Sequence, residues 1–354
     1  MIQTLFFFFL ALFILVVSHE AGHFCVARML KVRVLRFSFG FGKVLFRFMD
    51  KKHTEYTWSL IPLGGYVKML DEQVATVPTE ALPYAFNRKP LWVKFLIVLA
   101  GPVSNLLLAW VLLALVLMIG LEVPGVSPMV ADVGLGTPAH RAGLMPGDII
   151  QRINDRSVSQ GQEIATYVQD HPDETIQLTI LRQKQTFHLP VKLTHNEHKG
   201  HHQGLLGIQL KTALTQAHTL YRESFFRAII LAGEKTWALT TGAFVFVGQL
   251  IQGHLPLAEV SGPVGIAKLA GESVAQGLTH YLLFMALVSV SLGVLNLLPI
   301  PLLDGGHLAY YLIEFVMRRP LSQRTQMCAA YLGFGVIFLI TFIAFKNDLA
   351  RLGW

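Results

Sequence analysis

This chain is short of charge. Asp, Glu, Lys and Arg make up only 14% of its 354 residues, against about 25% in ordinary soluble domains. A surface that poor in charge cannot be wetted on all sides, which excludes an ordinary soluble globular protein. The 53% hydrophobic content instead fits a polytopic membrane protein carrying one soluble module. Cysteine is nearly absent: Cys25 and Cys328 are too few for a disulfide framework. Both fall on segments read as cytoplasmic, where a disulfide is not expected, and both are read as packing residues. The opening Met1-Ile2-Gln3-Thr4 lacks basic residues, and no small-residue cleavage site follows the first apolar run. That run is therefore read as a retained span rather than a cleaved signal.

Four apolar stretches are long enough to cross a bilayer: Thr4 to Phe24, Val93 to Leu121, Tyr281 to Leu303 and Ala329 to Phe345. Between Arg28 and His53 stand eight Lys/Arg and a single acid, Asp50. The positive-inside rule puts this segment in the cytoplasm, both termini outside, and Arg318, Arg319 and Arg324 inside. The resulting organisation is a first transmembrane helix (1–30), a cytoplasmic β segment with a surface helix (31–90), and a second transmembrane helix (91–121). An extracytoplasmic β domain (122–211) and extracytoplasmic amphipathic helices (212–280) follow. A third transmembrane segment (281–317) and a cytoplasmic turn with a fourth helix (318–354) complete the chain. The net charge of +7, gathered in cytoplasmic loops, suits anionic lipid headgroups better than nucleic acid.

Against this apolar background the run His19-Glu20-Ala21-Gly22-His23 stands out, because Phe6 to Val17 carries no charge. On a helix rising about 1.5 Å per residue, His19 and His23 lie one turn apart on one face. Two imidazoles so spaced can ligate one zinc, with Glu20 beside it to accept a proton from water. The bland alternative is a polar helix end whose histidines bond to backbone. Ionisable groups inside a membrane segment are expensive and usually functional, so the pattern predicts a hydrolytic zinc site in the bilayer.

A second polar insertion supports it. Asn296-Leu297-Leu298-Pro299-Ile300-Pro301-Leu302-Leu303-Asp304-Gly305-Gly306-His307 follows an apolar stretch, and prolines at alternate positions break a helix. Broken backbone at membrane depth requires protein or a water-filled cavity around it, so Asp304 faces a polar interior. Asp304 is read as the third ligand, since two histidines and a carboxylate form a common hydrolytic set. His307 is the competing ligand, otherwise bonding at a helix end. Asn296 is a donor to a carbonyl or oxyanion, or else a helix–helix hydrogen bond. The positive-inside count brings His23 and Asp304 to similar depth towards the cytoplasm.

Between the spans, Val32 to Leu70 alternates as β-structure, with a polar turn at Met49 to His53. Gly40, Gly42, Gly64 and Gly65 allow sharp bends or close backbone approach. Met129 to Leu193 reads as a compact β-rich domain. The tract His195 to His202 reads as a solvated linker with metal binding as the alternative. Tyr221 to Gln252 reads as helices lying on or partly in the outer membrane surface.

The HEAGH run, the NLLPIPLLDGGH run, Gly101-Pro102-Val103-Ser104-Asn105 and Ser261-Gly262-Pro263-Val264-Gly265-Ile266 together resemble the bacterial site-2 proteases, M50-type intramembrane zinc metalloproteases, in particular the RseP/RasP branch. The resemblance spans nearly the whole chain. It implies His19, His23 and Asp304 as zinc ligands, Glu20 as general base, and Asn296 as a substrate-binding or transition-state-stabilising residue. It further implies that the β segment is a re-entrant element dipping towards the zinc, with Gly40, Gly42, Gly64, Gly65 and Asn105 on the substrate side. Ala142-Gly143-Leu144-Met145-Pro146-Gly147-Asp148 resembles a PDZ domain of the protease-associated kind, which implies a helix from Glu163 to Gln169 and later strands from Thr175 to Leu181 and Thr186 to Leu193. The RseP pattern carries two such domains in tandem, and this chain has room for one.

The expected architecture is thus a polytopic α-helical membrane protein with four transmembrane helices, a cytoplasmic-side re-entrant β element and one extracytoplasmic PDZ-like domain. The expected function is a zinc endopeptidase of the bacterial inner membrane, cleaving the transmembrane helices of single-span substrates. The resemblance implies an anti-sigma factor or signal-peptide remnants as those substrates, with the lipid bilayer and no nucleic acid as other partners. A non-catalytic PDZ scaffold would need no metal set. A metal transporter would carry ionisable residues along a path, and the second span has none between Lys94 and Glu122.

Overall fold

The computed structural model describes residues 2–72, 76–158, 161–183, 185–198, 201–254, 256 and 261–351. They form two units, residues 1–121 with 222–354 and residues 122–221.

The first unit is built on long apolar helices. Among the described residues four helices are long and apolar enough to cross a membrane: α1 (Ile2–Met29), α2 (Leu91–Ile119), α7 (Leu278–Leu297) and α9 (Gln323–Arg351). α2 lies at the centre, packed against α1, α7, α5 (Phe225–Ile251) and α8 (Asp304–Met317). The packed faces are lined by small residues. Gly22 of α1 lies so close to α2 that a Cβ would stand 2.2 Å from the Ala100 carbonyl oxygen. Ser104 Oγ donates to the Ser18 carbonyl at 2.7 Å across the same crossing. Such close approach is how helices associate where burial from water supplies no drive.

The third apolar stretch is not one span to Leu303. α7 stops at Leu297, residues 298–303 form a turn, and α8 begins at Asp304. Pro299 and Pro301 cannot donate to a helical ladder, and Leu302 takes a left-handed φ of 81°, a costly conformation for a branched side chain. The segment read as helices on or partly in the outer membrane surface forms one long helix, α5, packed on α2 and α7. Ala228, Ala232, Thr236 and Thr240 form its buried stripe, and Trp110 Nε1 of α2 donates to the Ile229 carbonyl at 2.9 Å. Cys25 and Cys328 are free and exposed on the helix surfaces rather than packed inside.

α6 (Pro263–Ala275) packs on α1, α7 and α9. The Asp348 carboxylate of α9, 2% exposed, accepts from the amides of Gly262, Val264 and Gly265 at 2.9–3.0 Å. It satisfies donors that α6 would otherwise leave orphaned.

Strands β1 (Val34–Met49) and β2 (Glu55–Met69) each bend in the middle. Residues 44–49 pair with 55–59, and residues 34–39 pair with both 55–58 and 65–69. Two strands thus make a four-ribbon sheet. Gly40 and Gly42, at φ of 82° and 85°, provide the corner in β1 that residues with a Cβ rarely adopt.

The second unit carries the sheet order β10-β3-β4-β6-β7, with β5 beside β4. These are β3 (Leu121–Val133), β4 (Ile149–Ile153), β5 (Arg156–Ser157), β6 (Thr175–Arg182), β7 (Gln185–Lys192) and β10 (Ile208–Tyr221). Short α3 (Pro138–Arg141) and α4 (Gly161–Asp170) complete it, around a core that includes Val130, Ile150, Ile164, Leu178 and Val191. Asp148, 1% exposed, is held by both ends of the Arg182 fork at 2.7 Å, so its buried charge is paired. The histidine tract is not a linker. β8 (Thr194–His198) and β9 (His201–Leu205) form a hairpin, and Lys199 and Gly200 lie outside the described residues.

Candidate metal centre

The two insertions that interrupt the apolar runs meet in space. His19 and His23 project from one face of α1, and Asp304 is the first residue of α8. One ligand atom from each lies within 4.8 Å of the others, the one such group among the described residues. Asp304 Oδ2 is 3.0 Å from His19 Nε2 and 3.4 Å from His23 Nε2, and the two Nε2 atoms are 3.3 Å apart. The side chains are 12%, 11% and 18% exposed in the order His19, His23, Asp304. The turn at 298–303 is what aims Asp304. Gly305 behind it stands where a Cβ would fall 2.1 Å from the Leu298 carbonyl oxygen.

The outer nitrogens of both rings are held by α2. His23 Nδ1 donates to the Ile97 carbonyl at 2.8 Å, which leaves the Nε2 lone pair pointing inwards. His19 Nδ1 lies 3.2 Å from Nδ2 of Asn105, a residue with no exposed surface whose Oδ1 has no hydrogen-bond partner. A half-turn of this amide brings Oδ1 onto Nδ1–H. The orphan oxygen then has its donor, and the His19 Nε2 lone pair is also directed inwards. Asp304 Oδ2 is likewise buried without a hydrogen bond. Two lone-pair nitrogens and a carboxylate oxygen so close repel one another unless a cation lies among them. The residues present therefore fit a zinc ion with three protein ligands and an open position. Ring nitrogens fixed from behind are the usual support of such a site.

Glu20 stands on α1 between the two histidines. A Cβ at Gly65 of β2 would lie 3.0 Å from Glu20 Cγ and 3.1 Å from Val16, so Gly65 lets the sheet backbone come down onto the Glu20 side chain. Gly40 and Gly42 sit at the corner of β1, and Gly64 packs against the Phe41 ring. Asn296, in the last turn of α7, is half-buried. Asn105 does not line the sheet but lies wholly buried behind His19. His307 is not part of the ligand group and meets the Tyr310 ring edge to face at 5.9 Å.

Two contributors escaped the sequence reading. Ile97 acts through its backbone carbonyl, which no side-chain pattern reveals. Gly101 makes room for the rings: a Cβ there would fall 2.3 Å from His23 Nε2 and 2.9 Å from His19 Cε1. The signal for it was present in the Gly101-Pro102 pair inside an apolar run.

Comparison with known proteins fits this geometry. Residues 7–340 match the model of peptidase family M50. The regulator of sigma-E protease RseP of Salmonella typhimurium is 32% identical over 442 aligned positions, covering 98% of each chain. A zinc metalloprotease of Ralstonia nicotianae is 32% identical over 453 positions, again covering 98% of each. Both alignments are longer than this 354-residue chain, so the relatives carry residues it lacks, enough for a further small domain. Among solved structures, the PDZ domain of an SdrC-like protein from Listeria monocytogenes is 25% identical, covering 25% of this chain and 90% of that one at a TM-score of 0.22. The two interrupted apolar runs, the ligand group they bring together and the end-to-end likeness have one explanation: the chain belongs to peptidase family M50 and is an intramembrane zinc metalloprotease.

Proposed function

We infer that His19, His23 and Asp304 are the zinc ligands, that Glu20 is the general base, and that the substrate is the transmembrane helix of a single-span protein. The observation that carries the assignment is the convergence of the three ligand atoms within 4.8 Å from two elements far apart in sequence. Bound zinc supplies Lewis-acid polarisation of a carbonyl and an acidified water. Glu20 takes the proton from the attacking water and delivers it to the leaving amide nitrogen, so one carboxylate serves both steps. Asn296 donates to the oxyanion. Asn105 orients His19, and its burial argues against contact with substrate.

A helix hides its peptide bonds, so the scissile segment must become extended before water reaches it. The bent sheet of β1 and β2, whose Gly65 abuts Glu20, offers backbone for an unwound segment to pair with. Gly40, Gly42 and Gly64 give that sheet its shape. Residues 122–221 form one PDZ-like domain on the extracytoplasmic side, acting as a filter on what approaches. The basic stretch after α1 keeps both termini extracytoplasmic in a bacterial inner membrane. By likeness to relatives named Regulator of sigma-E protease and Protease RseP, the substrates are an anti-sigma factor already trimmed outside, and signal-peptide remnants.

The test is cleavage of a single-span substrate by detergent-purified protein, wild type beside Glu20→Gln, with zinc measured in both. Cleavage inside the span by wild type alone, with equal zinc, supports the assignment. Equal cleavage by both proteins removes Glu20 from the mechanism.

A further inference from the structure

The start of α2 and the end of α8 enclose a groove of about 660 Å³ that the reaction does not use. Lys94, in the first turn of α2, and Arg318 and Arg319, just past α8, all line it. None of the three is ion-paired to an acidic side chain among the described residues. The groove's own carboxylate, Glu314, is engaged through Oε1, which accepts from the Leu321 amide at 2.9 Å. The other wall is apolar, and Phe315 and Val316 are 72% and 79% exposed. Arg318 takes a left-handed φ of 52° and Pro320 follows, so the helix is terminated and the cations are presented at its end.

We propose that this groove binds one anionic phospholipid, its phosphate among Lys94, Arg318 and Arg319 and an acyl chain along Phe315 and Val316. A soluble anion would satisfy the cations and leave the two apolar side chains wet. A zwitterionic lipid would cover the apolar wall and bring no net charge to three cations. An anionic lipid meets both halves, and its headgroup depth is that of cations flanking the ends of apolar helices. The position gives the lipid a consequence. Ile97, which holds His23, follows Lys94 by one turn of α2, and α8 opens with Asp304. A lipid clamped between these elements braces the two that carry the metal centre, a consequence that rests on the ligand assignment above, whereas the binding itself does not.

The test is native mass spectrometry of the full-length protein in detergent, with phosphatidylglycerol or phosphatidylcholine of the same acyl chains. Wild type retains phosphatidylglycerol over phosphatidylcholine, and K94Q/R318Q/R319Q lowers that preference by about tenfold or more. K43Q/K51Q/K52Q, which removes the same charge from the β1 region, keeps it. F315S weakens phosphatidylglycerol retention while leaving the affinity for inorganic phosphate unchanged. Equal retention of the two lipids by wild type overturns the proposal, as does equal loss in both triple variants. Complete displacement by inorganic phosphate with no effect of F315S would make the groove a free-anion site and also overturn it. If K94Q/R318Q/R319Q does not fold, R319Q alone must lower the preference by about twofold or more, and no change refutes the site.

Discussion

α2 and α9 are the same length, 29 residues, and equally apolar, with mean hydropathies of 2.4 and 2.3 over their richest windows. Yet 44% of that window is buried in α2 and 11% in α9. α2 holds both histidine rings from behind, whereas α9 turns most of its side chains outwards. Hydropathy says only that a helix can enter a membrane. Which neighbour it takes is decided by small and polar residues, because lipid tails are as apolar as any leucine. In α2 these are Gly101, Ser104 and Asn105. α9 has Gly333, Ala344 and Asp348 as its buried positions, and Asp348 serves the start of α6 rather than the metal centre.

The sharpest way to break this contrast is at the centre itself. Asp304→Ala removes a proposed ligand, and zinc content and proteolysis should be lost together. Glu20→Gln should keep zinc and lower turnover by about 10²–10⁴-fold. Zinc retained at the wild-type level in Asp304→Ala would show that α8 is not part of the site. The next largest effect compares one substitution in both helices. Gly101→Ala drives a methyl group into the rings at 2.3 Å, and overpacking of this kind costs about 1–3 kcal/mol. It should lower both the melting temperature and zinc occupancy. Gly335→Ala in α9 meets nothing within 4 Å and should leave both unchanged or raise stability by up to about 1 kcal/mol. Matched losses in the two variants would mean that α2 is no more committed than α9.

Asn105→Ala comes third. It removes the partner of His19 Nδ1, and loss of such support typically costs about 10–100-fold in metal affinity. Competition with a chelator reads this directly, without turnover. A fall in substrate affinity with unchanged zinc affinity would return Asn105 to the substrate side.

These residues also mark how far the sequence could be read. The meeting of His19, His23 and Asp304 was legible because ionisable groups in apolar runs have few structural uses. The four apolar helices were legible from length alone, and α4, β6 and β7 through the resemblance to a PDZ domain. What escaped was pairing. The Ala228, Ala232, Thr236 and Thr240 stripe of α5 repeats every four residues like a surface amphipathic helix, and only its small side chains marked a face pressed against α2. Folding β1 and β2 into four ribbons depends on corners at glycines whose φ no pattern specifies. The histidine hairpin is polar on both faces, so alternation carried no signal there.

The smallest effect is expected outside both helices, in the turn that follows β1. The Arg28 guanidinium hydrogen-bonds the Asp50 carboxylate, and with the Thr54 amide it lowers the Asp50 pKa from 3.8 to about 2. A carboxyl group whose pKa is depressed by folding favours the native state wherever the unfolded chain would also be ionised. That contribution is complete above pH 3.8 and disappears as pH falls towards 2. The pair is solvent-accessible, so the effect is modest and screened by salt. Asp50→Asn removes the titration. The wild-type protein should melt above the variant at neutral pH, and the gap should close across that window. No gap at any pH would mean that Asp50 contributes through turn geometry alone, by accepting the Lys52 and Thr54 amides, which an asparagine oxygen does as well without a charge.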